Sequence, residues 1–441
     1  MSALTPRPAG FGAFVRAAGR AGSLVVQPRM GFSPPEEMRA GLLATREAAA
    51  TTVGTITLDS YTRVGDLAAV AEALREGTRL NGYPIVSHSA DTTRTVLEGV
   101  RGEGFPVQVR HGSATPFDIF AAAMSVGIDA TEGGPVSYCL PYGRIPLHES
   151  VENWARSCRH FALLREAGLD PHLETFGGCM LGQLCPPSQL VAISVLEALF
   201  FRHHGIRSVS VSYAQQTHPG QDREAIAALR HLCAELLPDT DWHVVVYAYM
   251  GVYPSTREGA TRLLDQAAEL AVATGSERLI VKTVAESVRI PTIAENVAAL
   301  ERAAAVARRT AADAVRPDAG TETYAEARAL VEAVLNLDGD IGRALFLAFQ
   351  HGYLDIPYCL HPDNMGRARS YIDTDGRLRW ADTGSLPLGS VRGRGRRSVS
   401  SADLLHALSY MQRSFDALAG PEDRRGRLAG DPARPGGVGD R

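Results

Sequence analysis

The chain has 441 residues, of which 45% are hydrophobic, and its formal net charge is -4. This length allows a large single domain with an appendage, and the charge gives no basic footprint for nucleic acid. The N-terminus has no continuous apolar stretch behind its arginines, and the most apolar later segment, Leu190–Phe201, is too short to span a bilayer. We therefore expect a cytoplasmic protein with no nucleic-acid partner and no membrane association.

Eight β-branched runs alternate with amphipathic helical stretches from residue 23 to about residue 310. Repetition of strand and helix predicts parallel strands joined by right-handed crossovers. Eight such units favour a (β/α)8 TIM barrel over an open sheet, and no G-x-G-x-x-G follows the first run, which argues against a dinucleotide-binding fold. The predicted strands are Leu24–Arg29, Thr55–Arg63, Pro106–Arg110, Ile128–Tyr138, His172–Phe176, Ser208–Tyr213, His243–Tyr249 and Arg278–Thr283.

After the eighth run, the pattern predicts a long helix from Ile293 to about Ala314 and then a mixed region. The last segment is rich in Gly, Pro, Arg and Asp without periodicity, which is typical of disorder. We therefore predict an α/β protein with a catalytic barrel over residues 1–315, a C-terminal α+β extension over residues 316–419 that packs on the barrel, and a disordered tail over residues 420–441.

The first three predicted strands each finish on an arginine: Arg29, Arg63 and Arg110. The active site of such a barrel lies at the carboxyl ends of its strands. Three guanidinium groups at one mouth repel each other unless an anion lies between them, whereas each can bind a carboxylate through two parallel hydrogen bonds. A coincidence of surface arginines is the alternative in a chain this rich in arginine. We interpret the three as a clamp for a dianionic ligand.

The fourth predicted strand places a carboxylate, Glu132, in this cationic mouth. Gly133 and Gly134 follow it and allow close approach of the backbone to a ligand, and Tyr138 and Tyr142 add phenolic donors. A carboxylate near arginines stays ionised, so Glu132 is a candidate to bind a substrate ammonium or to take a proton from it. A ligand with two carboxylates and one amine, an acidic amino acid, fits this set.

Lys282 is the only lysine of the chain, since the other 44 basic residues are arginine. It closes the apolar run Leu279–Val281, where a charge is costly without a partner, and Glu286 is the candidate partner. A chance leftover at a tolerant position is the alternative. We interpret Lys282 as a functional residue, because an ammonium is a compact point charge and a guanidinium is a wide planar fork.

These motifs resemble the large (epsilon, or E) subunit of glutamate mutase, the catalytic component of methylaspartate mutase. The resemblance extends from about residue 20 to about residue 390. It rests on the run EGGPVSYCLPY, the strand ends QPR, SYTR and VRHG, and the later VKTVAES. The segments NGYP, CPPS and DIPY match as well. The chain differs from the family at Pro135, where a third glycine is usual, and in the loop after Asp355.

The resemblance implies a (β/α)8 barrel that interconverts L-glutamate and threo-3-methyl-L-aspartate by a radical rearrangement with adenosylcobalamin. It implies that Glu132 contacts the substrate amino group during catalysis. It further implies that Lys282 and Glu286 lie near the adenosyl ribose of the cofactor. The residues that match the family's substrate contacts are Arg29, Arg63, Arg110, Glu132, Tyr138 and Tyr142.

The cobalt-binding motif of this class, D-x-H-x-x-G, is missing from the chain. Only Asp170–His172 and Asp241–His243 have the D-x-H spacing, and Thr175 and Val246 stand where the glycine would be. The six cysteines form no C-x-x-C pair either, so no metal site is predicted. The resemblance therefore implies a separate small subunit that binds cobalamin through D-x-H-x-x-G, in a heterotetramer of two large and two small subunits.

Two other functions stay open from the sequence. One is a non-catalytic barrel that binds an acidic amino acid, which would need only the arginine clamp. The other is a mutase for a related dicarboxylic acid. Glu132, both tyrosines and the Lys282–Glu286 pair favour the glutamate mutase, because simple binding does not require them and because Glu132 suits a substrate with an amine.

Overall fold

Eight short parallel strands form the centre of the fold. The computed structural model describes residues 10–141, 143–179, 184–287, 289–311, 320–389 and 397–420. The strands are β1 (Val25–Gln27), β2 (Gly54–Thr57), β3 (Val107–Arg110), β4 (Ala130–Gly133), β5 (His172–Thr175), β6 (Ser208–Ala214), β7 (Asp241–Tyr247) and β8 (Arg278–Ile280). They pair in the order β1-β8-β7-β6-β5-β4-β3-β2. The first and last strands of this order, β1 and β2, also come together and close the sheet. At this point the amide of Val26 donates to the carbonyl of Thr51 at 2.9 Å. The predicted (β/α)8 barrel is thus confirmed.

Helices occupy the connections that follow the strands, and one further helix precedes β1. Those of the barrel region are α1 (Phe11–Arg20), α2 (Pro35–Glu47), α3 (Ser60–Val64), α4 (Leu67–Glu76), α5 (Ala90–Leu97), α6 (Phe117–Ser125), α7 (Leu147–Ala162), α8 (Pro187–His203), α9 (Pro219–Leu236), α10 (Arg257–Ala273) and α11 (Ile293–Arg309). The predicted helix over 293–314 corresponds to α11, although residues 312–319 lie outside the described ranges. Within those ranges, every helix is too short or too polar to cross a bilayer.

The second strand is shorter than the sequence predicts. It ends at Thr57, and Arg63 lies on the helix α3 instead of at a strand end. The cause is Asp59, whose carboxylate accepts the amide of Thr62 at 2.9 Å and so caps the start of this helix. The end is set by Gly65, which has the left-handed φ of +79°.

The fourth strand is also shorter than the predicted Ile128–Tyr138. It ends at Gly133, whose φ of +127° belongs to a region that other residues rarely adopt. Tyr138 therefore reaches the site from the turn after the strand. The first strand ends at Gln27, two positions before Arg29, so of the three arginines only Arg110 is the last residue of its strand.

The interior of the barrel contains a buried ion pair. Glu174 on β5 and Arg278 on β8 contact each other, and neither side chain is exposed to solvent. Desolvation makes such pairs costly unless hydrogen bonds satisfy the remaining groups. Here Gln108 and Ser210 donate to Glu174, each at 3.2 Å. The barrel centre is therefore polar, and it connects directly to the carboxyl ends of the strands.

The two D-x-H histidines lie on strands, as the sequence predicts. His172 on β5 and His243 on β7 are fully buried, and their rings stack at a centroid distance of 5.2 Å. Burial lowers the pKa of both well below the usual value, so both rings are neutral. Phe11 of α1 lies 5.2 Å from the ring of His172. These rings belong to the packed interior of the barrel.

A C-terminal α+β extension follows the barrel, as predicted. It comprises α12 (Glu322–Leu335), α13 (Ile341–His351), the antiparallel strands β9 (Arg369–Ile372) and β10 (Leu378–Asp382), α14 (Ser401–Leu408) and α15 (Tyr410–Asp416). It contacts the barrel through Glu326 of α12, whose carboxylate accepts the hydroxyl of Ser188 on α8 at 2.6 Å. The limits 1–315, 316–419 and 420–441 stay predictions, and residues 421–441 of the predicted tail lie outside the described ranges.

The helix α15 is fixed to the loop between β7 and α10 by one carboxylate. Asp416 accepts the amides of Ser255 and Thr256 at 3.2 and 2.9 Å, and both of their hydroxyls at 2.7 Å. Phe415 belongs to the same apolar cluster as Tyr253 of that loop. The extension therefore supports one side of the barrel mouth.

We expect Asp416→Asn to lower the free energy of unfolding by about 1–2 kcal/mol, because an amide cannot accept all four of these hydrogen bonds. Urea denaturation would measure the loss, and hydrogen exchange of residues 410–416 would locate it. The change Asp375→Asn, at an exposed aspartate in the turn between β9 and β10, is the control. Equal stability of the two variants would mean that Asp416 contributes nothing to the attachment of α15.

Candidate active site

A cavity of about 880 Å³ opens at the carboxyl ends of the barrel strands. It gathers residues that are far apart in the sequence, including every predicted site residue that the structure describes. These are Arg29, Arg63, Arg110, Glu132, Tyr138, Lys282 and Glu286. Tyr142, the remaining predicted residue, lies outside the described residues. The roles of all eight residues stay predictions, but the shared location of the seven is a property of the fold.

Arg110 is the most buried of the three arginines and is already paired. Its side chain is 5% exposed, and it lies 2.8 Å from the carboxylate of Glu132. It also donates to the hydroxyl of Tyr247 at 3.0 Å and lies 3.7 Å from Glu174. Burial alone would lower the pKa of Arg110, but Glu132, Tyr247 and Glu174 raise it well above the usual value. Arg110 is therefore a permanently charged centre of the site.

The other two arginines are half-buried and more available to a ligand. Arg29 contacts Glu286 at 3.4 Å. The Nε of Arg63 is buried and has no hydrogen-bond partner within the described ranges. The small Gly112 gives Arg63 its space, since a Cβ at this glycine would lie 3.1 Å from the Cδ of Arg63. A buried donor without a partner is costly, and an anionic ligand would supply the missing acceptor.

Glu132 is 1% exposed and lies in a hydrogen-bond network. It accepts the hydroxyl of Tyr138, and the hydroxyl of Tyr247 at 3.0 Å. Burial raises the pKa of Glu132, and Glu174 raises it further, whereas Arg110 and the two phenols lower it; the net direction is upward. The expectation that neighbouring arginines simply keep Glu132 ionised is therefore incomplete, because burial opposes them.

Arg278 explains why the pKa of Glu132 is raised while that of Glu174 is lowered, because of these two carboxylates Arg278 pairs with Glu174 alone. The hydroxyl of Tyr247 contacts both carboxylates but has a single hydrogen to donate. Tyr247 therefore acts on both carboxylates and does not distinguish them. Burial would raise the pKa of Glu174 as well, but Arg278 and Arg110 lower it overall. An ammonium that bound beside Glu132 would lower the pKa of this residue and stabilise its charged form.

Sequence reasoning missed Tyr247, Glu174 and His111. His111 is buried beside Arg110 and lines the cavity. Burial, Arg110 and Arg63 lower its pKa to about 3, so the ring is neutral. Its Nδ1 accepts the amide of Ser113 at 3.1 Å, which leaves the hydrogen on Nε2. The backbone of Glu132 acts on the ring as a hydrogen-bond acceptor and opposes the lowering of its pKa. His111 can therefore donate one neutral hydrogen bond.

Lys282 is nearly buried, but its partner differs from the one that the sequence suggests. Its ammonium lies 4.4 Å from the centre of the Tyr253 ring, which provides a favourable cation–π contact. Glu286 forms its ion pair with Arg29 and accepts the amide of Thr283 at 2.9 Å. Burial and Arg29 lower the pKa of Lys282 to about 8, against the opposing effect of Glu286. Glu286 thus acts on Lys282 through its charge and not through a direct ion pair.

The charge of the cavity lining is strongly positive. Its cationic residues are Arg29, Arg63, Arg110, Arg289 and Lys282, and its acidic residues are Glu132 and Glu286. Within the described residues, His, Cys, Asp and Glu side chains form no cluster that could hold a metal ion. An anion with more than one negative charge fits such a lining.

The fold and the site together define a (β/α)8 barrel protein with a cavity suited to a polyanionic small molecule at its mouth. Comparison with known sequences identifies the particular family. Residues 5–398 match the model of the family described as methylaspartate mutase E chain. The chain belongs to this family, which confirms the resemblance seen in the sequence motifs.

Several relatives share this similarity over most of their length. The glutamate mutase epsilon subunit of Halobacterium salinarum is 31% identical over 388 residues, which cover 85% of this chain and 81% of the relative. The glutamate mutase epsilon subunit of Escherichia coli O157:H7 is 30% identical over 388 residues, or 84% and 79% of the two chains. That of Desulfitobacterium hafniense is 30% identical over 403 residues, or 87% and 82%.

Proposed function

We propose that this protein is the catalytic large subunit of a glutamate mutase, an isomerase that interconverts L-glutamate and threo-3-methyl-L-aspartate. The observation that supports this most strongly is one cavity that contains the three predicted arginines together with Arg289, a hydrogen-bonded glutamate and the only lysine of the chain. A barrel that only bound an acidic amino acid would not require Lys282. The names of the relatives agree with this substrate.

The cavity residues divide into groups that suit the parts of glutamate. The half-buried Arg29 and Arg63 have guanidinium edges available for the two substrate carboxylates, and each can form a bidentate pair. Glu132 suits the ammonium group, with its orientation fixed by Tyr138 and Arg110. These contacts would hold the carbon skeleton still while its bonds are rearranged, which is the main contribution of positioning to catalysis.

We propose adenosylcobalamin as the cofactor, shared with a small subunit. Two features of the cavity fit a ligand beyond the substrate. Its volume of about 880 Å³ is near the upper end of the range for drug-sized ligands. Its Lys282 ammonium has no hydrogen-bond partner in the part of the chain that the structure describes, so it is available to a ribose hydroxyl together with Glu286. When bound, adenosylcobalamin supplies the radical chemistry of the rearrangement.

The partner in this proposal is a small cobalamin-binding subunit with a D-x-H-x-x-G motif, in a heterotetramer of two large and two small subunits. In this chain, His172 and His243 are fully buried on strands and cannot reach a cofactor at the mouth. Apolar side chains at the cavity rim suit a protein partner, since Val64 is 71% exposed and Ile290 is 57% exposed.

The test is reconstitution of the chain with such a small subunit, adenosylcobalamin and L-glutamate, with 3-methylaspartate measured by NMR. Formation of 3-methylaspartate only in the presence of both subunits would support the proposal. Glutamate binding without turnover would indicate a non-catalytic barrel instead. Turnover of a dicarboxylic acid that lacks nitrogen, in preference to glutamate, would indicate a different mutase.

We expect Glu132→Gln to lower turnover by about tenfold and to change the apparent affinity for glutamate less, because the amide keeps the shape but loses the charge that faces the substrate ammonium. Steady-state kinetics of the reconstituted enzyme would measure both quantities. Glu301→Gln, a carboxylate-to-amide change on α11 outside the cavity, is the control. Unchanged turnover in Glu132→Gln would assign this residue a purely structural role.

A further inference from the structure

Glu197, which sequence reasoning did not identify, is a fully buried carboxylate in the middle of α8. It accepts four hydrogen bonds from two other segments of the chain. Its Oε1 accepts the amide of Ser137 at 2.9 Å. Its Oε2 accepts the hydroxyl of Ser137 at 3.1 Å and the amides of Gly177 and Phe176 at 2.8 and 3.3 Å. One side chain of the helix therefore joins the turn after β4 to the end of β5.

Both of these segments contribute a wall of the cavity. Ser137 precedes Tyr138, whose hydroxyl donates to Glu132. Phe176 lines the same cavity, and its ring centroid lies 4.9 Å from that of Tyr138. The backbone amides of Ser137 and Phe176, one on each of these walls, are thus bound by a single carboxylate.

Gly134 shows how closely this carboxylate is fitted. A Cβ at Gly134 would lie 2.0 Å from Oε1 of Glu197. The glycine after Gly133 therefore provides space for a protein side chain, and not for a ligand as the sequence suggested. The turn and the helix are built to bring the carboxylate and the backbone of this turn together.

Neither protonation nor an amide would satisfy this arrangement as the carboxylate does. Burial raises the pKa of Glu197 to about 7, while the hydrogen bonds from Ser137, Gly177 and Phe176 lower it. All four partners are donors, and an ionised carboxylate is purely an acceptor. In Glu197→Gln, the amide nitrogen would face at least one of these donors, whichever way the amide is turned.

We propose that Glu197 is a positioning residue of the active site, which sets the place of Tyr138 against Glu132 by clamping the two walls together. This inference rests on the proposed function for its kinetic consequences. Its structural part, the clamp of the turn after β4 against the end of β5, does not depend on which substrate the cavity accepts.

The first measurement is hydrogen exchange of the isolated chain, followed by mass spectrometry. We expect Glu197→Gln to speed exchange at residues 134–140 and 176–179. Ser137→Ala removes only the hydroxyl bond and should speed exchange in the same segments to a smaller extent. The matched control is Asp222→Asn on α9, a buried carboxylate that accepts the hydroxyl of Tyr213 at 2.8 Å and whose pKa burial also raises to about 7. Its effect should stay near α9 and the end of β6, where its partners Tyr213 and Gln216 lie.

The second measurement is a double-mutant cycle with Tyr138→Phe in the reconstituted enzyme. Glu197→Gln alone should lower kcat/KM for glutamate by about tenfold, whereas in the Tyr138→Phe background it should lower it by less than about threefold, because residues that act through one another are not additive. Asp222→Asn should lower thermal stability but keep kcat and KM. If Glu197→Gln does not fold, Ser137→Ala takes its place in the cycle.

Failure of this inference and failure of the proposed function give different results. If the variants exchange faster in the two segments but the reconstituted wild-type protein is inactive, the clamp is supported and the mutase is rejected. If the wild-type enzyme is active but the effects of Glu197→Gln and Tyr138→Phe on kcat/KM are fully additive, the positioning role is rejected. It is also rejected if Asp222→Asn lowers kcat/KM as much as Glu197→Gln does. Unchanged exchange at residues 134–140 in both Glu197→Gln and Ser137→Ala would reject the clamp itself.

Discussion

Arg110→Lys is expected to weaken glutamate binding by about a hundredfold, the larger of two arginine effects in this site. Arg110 is buried, and its fork spans Glu132 and Tyr247 at 2.8 and 3.0 Å. An ammonium keeps the charge but cannot reach both partners in one plane. Losing a hydrogen bond to a charged group in a buried site costs about 1.5–3 kcal/mol, which corresponds to roughly ten- to a hundredfold in binding.

Arg63→Lys provides the comparison. Arg63 is half-buried, and its Nε has no acceptor in the described protein, so its loss affects the ligand and not an existing pair. We expect roughly tenfold weaker binding from the loss of a charged hydrogen bond. Glutamate KM in the reconstituted enzyme would measure both effects, and circular dichroism would check the fold. Wild-type KM in both lysine variants would contradict the assignment of the clamp.

Lys282→Arg is the second large effect, although arginine occupies every other basic position of the chain. The ammonium lies over the Tyr253 ring at 4.4 Å, with Arg29 close enough to lower its pKa. A longer, wider guanidinium has to move toward Arg29 or away from the ring. Misplacement by about 1 Å costs on the order of a hundredfold in rate, so we expect slow cleavage of the cobalt–carbon bond with little loss of glutamate binding.

The measurement is stopped-flow absorbance of the cobalamin in the reconstituted complex, with Arg302→Lys, the reverse change on the outer helix α11, as control.

The pH dependence of cobalt–carbon bond cleavage gives a second test. The pKa of Lys282 is lowered to about 8, mainly by burial, so its charge is present below pH 8 and is lost as the pH rises through this value. The wild-type rate should therefore fall above pH 8, whereas the arginine variant should stay slow and flat. Fast cleavage in this variant would mean that a lysine at position 282 has no function that an arginine cannot fulfil.

The barrel was predictable because each strand has a local sequence pattern that indicates it. Runs such as Val244–Tyr247 and Ser208–Ala214 alternate with amphipathic helices, and this pattern specifies parallel pairing without knowledge of distant contacts. The ends of the strands were less predictable. A local capping residue, Asp59, turned the predicted end of β2 into a helix, and the positive φ of Gly133 ended β4 early.

The location of the predicted site residues followed from the same barrel, since the carboxyl ends of all strands share one mouth. The residues that sequence reasoning missed are of another kind. Glu174, Tyr247 and Glu197 are buried polar side chains within apolar segments, and only their partners reveal their purpose. Those partners come from other strands and helices, so no local pattern contains them. The pairing of Glu286 with Arg29 instead of Lys282 is a further case.

The attachment of α15 has a consequence for the order in which the chain matures. Asp416 and its partner Ser255 are 161 positions apart, and ribosomes add about 5–20 residues per second. The loop that contains Tyr253, and with it the support beneath Lys282, thus emerges roughly 8–30 s before its anchor. A nascent barrel can close its eight strands during this interval while the lysine side of the mouth is still unsupported. Competence to bind the proposed cofactor would then be acquired late, as one of the final events of synthesis.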